Sequence, residues 1–199
     1  MDAAELETER EALIAEIYAA FKDVSREGGV SRFEAFVIDD RGSDEECAAA
    51  RARDTDTSWT ELVDDPGWQS PGVFSFLDAI GFRYYLPVVL VRTLRTGEED
   101  DALPDHISLP RIPADDAVAE CLDKLPKQLG DIDGLNYHTL SQWVLLTDRQ
   151  RCCVARFIRF WILVIRDRAL QQQGPDREWI QSYANDWVRA YESYWKSFE

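Results

Sequence analysis

Histidine is scarce in this chain, basic charge is outnumbered by acidic, and long apolar runs are missing. His106 and His138 are its only histidines, and neither stands at a zinc-finger distance from Cys47, Cys121, Cys152 or Cys153. No two cysteines have C-x-x-C spacing, so the four read as reduced, mostly buried small apolar residues. Lys and Arg number 22 against 38 Asp and Glu, a net charge of −16. A surface that acidic repels phosphate backbones and excludes nucleic-acid binding through a general basic face. A Gly-rich phosphate loop, a G-x-S-x-G elbow and a metalloprotease helix are all missing. The most apolar stretch, Val154 to Ile165, is short and carries Arg156 and Arg159, so it cannot span a bilayer. The N-terminus, MDAAELETEREALIAEIYAAF, is acidic and amphipathic, the opposite of a secretory signal. The expected compartment is the cytoplasm, with no membrane association.

What the chain has in plenty is aromatic and acidic side chains. Seven Trp, seven Tyr and nine Phe supply a heavy core, and 199 residues suffice to bury it without a disulfide or a metal. The acidity is lopsided: residues 1 to 65 hold 19 acids and 7 bases, the remainder 19 and 15. Basic proteins are the partners such a surface favours.

Helical periodicity dominates. Leu6, Leu13, Ile14, Ile17, Tyr18 and Phe21 share one face of a first helix that stops at Gly28-Gly29. Capping boxes at Ser31/Glu34, Ser43/Glu46 and Thr147/Gln150 start three more. Pro87 fits the first turn of a helix over Val88 to Leu94. Pro104, Pro110 and Pro113 predict an acidic loop over about 97–116, with room for a short strand at His106 to Leu109. Ala117 to Leu125 suggests a short helix. Gly174-Pro175 separates the long helix after Thr147 from a last one bearing Trp179, Trp187 and Trp195. The expected fold is all-α, a compact single-domain helical bundle over 1–199. It has five to seven helices and room for a minor β-hairpin.

Asp54 and Asp56 are the sharpest chemical candidates. Two carboxylates two apart in a turn can reach one divalent cation. The competing reading is a helix C-terminus followed by an N-cap for the segment at Trp59 to Val63. His138 is the better general-base candidate, although a satisfied structural role suits both histidines. Cys152 and Cys153 stand near a helix N-terminus, where a thiol pKa falls, but Cys153 lies on the buried side. Arg149, Arg156, Arg159 and Arg166 can share one side of the long helix. Pairing with the N-terminal acids is the favoured reading over an anionic ligand.

Three segments together, EIYAAFKDVSREGGVSRFEAFVIDD, DTDTSW and FLDAIGFRYYLP, resemble a bacterial domain family of unknown function. The resemblance covers about residues 10 to 95, with a similar helix start over Thr147 to Phe160. It implies a bacterial source and an α-rich fold, and brings no catalytic role. Its matching positions are Asp54, Asp56, Trp59, Asp78, Gly81, Phe82, Arg83, Tyr84, Tyr85 and Pro87. Arg83 is expected to anchor Asp56 or Asp78 in an internal ion pair. The acidic loop and the last helix are expected to be local additions.

The functional expectation is a non-enzymatic interaction protein, in concrete form an immunity-like or antitoxin-like inhibitor of a basic protein. Trp59, Asp78, Arg83, Tyr84 and Tyr85 are its candidate interaction or structural cluster. No catalytic residue, cofactor or metal is assigned. The alternatives are a metal-dependent hydrolase using Asp54 and Asp56, with His138 or Glu61, and a homodimeric scaffold joined by the aromatic C-terminal helix.

Overall fold

The computed structural model describes residues 3–68, 72–98, 102–107 and 141–199. Its helices are α1 (Ala3–Ala20), α2 (Arg32–Asp39), α3 (Asp44–Arg51), α4 (Thr60–Val63), α5 (Ala79–Thr96), α6 (Ala102–Ile107), α7 (Asp148–Gln171) and α8 (Pro175–Ser193). Two 3-10 turns, Gly72–Phe76 and Trp195–Phe198, complete the regular structure, and no strand occurs among the described residues. The expected all-α class holds. The helix number exceeds the expected five to seven because α4 and α6 are too short to announce themselves by periodicity.

The three capping boxes all form. Ser31, Ser43 and Thr147 accept from the backbone N–H three residues on, and Glu34, Glu46 and Gln150 reach back to the cap N–H. Helix α2 closes in a Schellman turn. Gly42 donates to the Val37 carbonyl at 2.8 Å, and Arg41 to Ile38 at 3.0 Å. Arg41 thereby takes a φ of 59°, a left-handed value usually left to glycine.

Two expectations about proline fail. Helix α5 begins at Ala79, capped by Asp78, so Pro87 lies inside it rather than at its start. Pro87 has no N–H for the Arg83 carbonyl, a loss that twelve buried residues on this helix outweigh. Residues 102–107, read as loop and then strand, form α6 with Pro104 in the first turn, where its missing N–H is no loss. The suggested helix at 117–125 lies outside the described residues.

Helices α7 and α8 pack as an antiparallel pair, and α1 lies against both α7 and α5. Helix α5 is the core element, with Phe82, Tyr84, Tyr85 and Leu86 to Val91 almost wholly buried. Tryptophans close two helix ends. The α6 carbonyls of His106 and Ile107 accept from Trp143 Nε1 at 3.0 Å and Trp195 Nε1 at 2.7 Å. At the end of α1, Gln150 Nε2 donates to the Ala20 carbonyl at 3.1 Å and Trp59 Nε1 to Phe21 at 2.9 Å. The last four carbonyls of a helix have no partner within it.

Candidate functional site

The turn after α3 carries Asp54 and Asp56 into a buried polar network. Asp54 Oδ2 accepts the Phe33 N–H at 2.9 Å, so it caps α2, a different helix from the one its sequence position suggests. Its other oxygen faces Arg32 Nε at 3.7 Å. Asp56 Oδ2 accepts the Tyr84 hydroxyl at 2.7 Å and lies 3.5 Å from Arg26 Nε. Arg26 also donates through Nη2 to the Asp54 carbonyl at 2.8 Å. Burial opposes the Arg26 charge, yet the tyrosine hydroxyls and the two carboxylates hold its pKa above the ordinary arginine value. Burial first, and the Asp56 hydrogen bond second, push the Tyr84 phenol well above its usual range.

The second layer ties this turn to α5 and the loop before α2. Tyr85 accepts the Arg32 N–H through its hydroxyl at 3.0 Å, and burial raises its pKa strongly. Asp78 Oδ1 accepts from Gly81 at 2.8 Å and from Val30 at 3.0 Å. Gly81 is needed for that approach: a Cβ there would sit 2.4 Å from the Val30 carbonyl oxygen. Trp59 is fully buried beneath the turn, with its ring 4.9 Å from that of Tyr18.

Arg83 stands apart. It anchors neither Asp56 nor Asp78, but donates from Nε to Gln150 Oε1 at 3.0 Å. The arginines that do meet the two turn carboxylates are Arg26 and Arg32, which motif reasoning passed over. Only the Arg26 position beside Gly28-Gly29, in a stretch crowded with acids, hinted at a local cation. Asp54, Asp56, Asp78, Tyr84 and Tyr85 do come together; Trp59 lies under them and Arg83 outside. Asp54 Oδ2 is held by a backbone N–H and Asp56 Oδ2 by a phenol and an arginine, so these two oxygens do not converge on one point. No cluster of three or more metal-ligating side chains occurs among the described residues.

Of the other chemical candidates, His106 and Cys153 are buried. His106 has its Nδ1 3.1 Å from Gln142 Oε1 and its Nε2 3.4 Å from Ser75 Oγ. His138 lies outside the described residues. Burial pushes the Cys153 thiol up to about 11, the reverse of an activated nucleophile. Arg156 pairs with Glu9 at 2.9 Å and also with Glu16. Arg159 reaches Glu199 at 3.0 Å and Glu9 at 4.0 Å. The expected internal pairing of the α7 arginines is thus realised by these two.

Above the network opens a cleft of about 250 Å³, lined among others by Arg26, Arg51, Asp56, Thr57 and Tyr84. Arg51 is fixed at its edge by Glu34, which accepts from Nε at 2.8 Å and also from Nη2. Burial opposes the Glu34 charge, but Arg51 and the Ser31 N–H hold its carboxyl below the usual range.

Among the described residues, no helix is long and apolar enough to cross a membrane. Comparison with the curated proteins and with the solved structures found no match. The family model that does match spans both the 97–116 stretch and the last helix, so neither is a local addition to the resembling segments. With residues 9–198 matched, the chain belongs to the Family of unknown function (DUF6714).

Proposed function

We propose that this protein is a non-enzymatic interaction protein that presents an acidic corner to a basic protein partner, in the manner of an immunity-like inhibitor. The observation carrying this reading is the sorting of the N-terminal carboxylates. Glu9, Glu16, Glu34, Asp54, Asp56, Asp64 and Asp65 are each within ion-pair distance of an arginine. Asp39, Asp40, Asp44 and Glu45, at the α2–α3 corner, are exposed and have no ion-pair partner among the described residues. Arg41 is the one cation in that stretch. Four exposed carboxylates gathered at one corner steer association with a positive surface, and salt screens the steering. The free thiols Cys47, Cys152 and Cys153 suit a reducing cytoplasmic setting for that encounter.

The test is capture of partners from the native host, comparing the wild type with a variant bearing Asp39→Lys, Asp40→Lys, Asp44→Lys and Glu45→Lys. A basic protein is expected, retained at low salt, released at high salt and lost in the variant. Equal capture by the variant, or capture indifferent to salt, counts against the reading.

A second reading, a homodimer through the C-terminal helix, has one observation in its favour. Trp187 and Trp195 are spent inside the chain, but Trp179 is 67% exposed and Leu170 68% exposed. Light scattering distinguishes it: a monomer at micromolar concentration removes it, and a dimer abolished by Trp179→Ser supports it.

A further inference from the structure

The cleft over the buried network is built from both signs of charge. Arg26 and Arg51 supply two guanidinium groups to its lining, and Glu27 and Asp56 two carboxylates, so the lining is formally neutral. Ser25, Thr57 and Tyr84 add hydroxyls. Both arginines are immobilised from behind. Arg26 spends Nη2 on the Asp54 carbonyl, and Arg51 spends Nε and Nη2 on Glu34. That leaves the Nη1 group of each without an acceptor among the described residues. Guanidinium groups held in place lose little freedom when they grip a carboxylate. The Arg26 and Asp56 charges stand 3.5 Å apart, so opposite signs lie side by side at the cleft. Gly28 lines the same cleft with a φ of +80° and nothing within 4 Å of the place a Cβ would occupy, which leaves the loop backbone uncovered there.

A multiply charged anion is a poor match, because Asp56, Glu27 and the net charge of −16 repel it. A cation meets Arg26 and Arg51. A small molecule with a carboxylate next to an ammonium satisfies both halves. A volume of about 250 Å³ suits a ligand below drug size. We propose that the cleft lined by Arg26, Arg51, Asp56 and Tyr84 binds a small free α-amino acid as its zwitterion. The carboxylate faces the guanidinium groups and the ammonium faces Asp56. This goes beyond the acidic-corner reading and uses none of the four corner carboxylates.

The test is an amide NMR titration of the full chain at constant ionic strength with glycine, alanine and serine. Glycinamide, N-acetylglycine and inorganic phosphate serve as separate probes. Saturable shifts at Gly28, Gly29 and Thr57 are expected for the free amino acids alone. Ser25→Glu puts a carboxylate at the rim from an exposed position and is expected to weaken binding at least tenfold, while Ser25→Ala, which loses the same hydrogen bond from the Glu27 N–H without adding charge, keeps most of the binding. Arg51→Lys, which keeps the charge on Glu34 but loses the fork, is expected to weaken it several-fold. Equal shifts with glycinamide or N-acetylglycine, preferential binding of phosphate, unaltered binding by Ser25→Glu, or no saturable shift at all would each overturn the proposal.

Discussion

The Tyr84 hydroxyl donates to Asp56 Oδ2 at 2.7 Å, joining the middle of the central helix to a turn 28 positions earlier. Arg26 Nε lies 3.5 Å from the same oxygen. Hydrogen bonds to a charged group contribute about 1.5–3 kcal/mol, and losing one partner leaves the carboxylate partly unpaired. Tyr84→Phe should therefore lower stability by about 2 kcal/mol, read as a drop in the urea midpoint. A double-mutant cycle with Asp56→Ala, which removes the acceptor, should return most of that as coupling; additive effects would show that the bond contributes nothing specific.

Two glycines should respond oppositely in size. Gly81→Ala drives a methyl to 2.4 Å from the Val30 carbonyl oxygen, which is backbone and cannot swing away. A loss of about 2 kcal/mol or more is expected, together with displacement of the loop before α2. Gly28 has open space, so Gly28→Ala meets only the cost of its φ of +80°, about 1 kcal/mol. Paired thermal melts check the order.

Arg41 invites the reverse experiment. It holds φ 59° at the position after the α2 cap, where a side chain is strained. Arg41→Gly relieves that strain and should stabilise the protein by about 1 kcal/mol, visible as a higher melting temperature. An unchanged or lower value would mean that the arginine side chain compensates by contacts of its own.

High pH should unfold the chain through groups that the core keeps protonated. Burial pushes Cys153 up to about 11 and Tyr194 up to about 12. Both folded values lie above the unfolded ones, about 8.5 for a thiol and about 10 for a phenol. Their stabilising contribution is complete below the unfolded values and is lost as pH climbs through the folded ones. Stability should thus fall progressively from about pH 9 to pH 12, with tyrosinate absorbance and helix loss changing together. Cys153→Ser should blunt the first part of that fall. At pH 8, alkylation mapped by mass spectrometry should mark Cys152 before Cys153.

Helix starts were legible because a cap is a local event. Ser31 with Glu34 and Thr147 with Gln150 need only three residues' separation to declare themselves. Asp78 was harder, since Gly81 stands where a box would carry Glu, and Pro87 offered a false beginning. The network was legible only in half. The Asp54, Asp56, Tyr84 and Tyr85 segments stood out, but the cations that complete them are set by the packing of distant segments. Arg26 meets Asp56 across 30 positions, while Arg83, the nearest arginine in the motif, turns to Gln150. Nothing in spacing alone could distinguish those two outcomes.

Gln150 donates to the Ala20 carbonyl from 130 positions downstream. During synthesis the first helix leaves the ribosome long before the residue that finishes its far end, and although Trp59 and α5 can cover part of its apolar face earlier, the part that packs on α7 waits as long. The opening segment is thus among the last to be locked. A chain halted anywhere short of Thr147 should remain open to protease in its first twenty residues or so, however well those residues favour a helix by themselves.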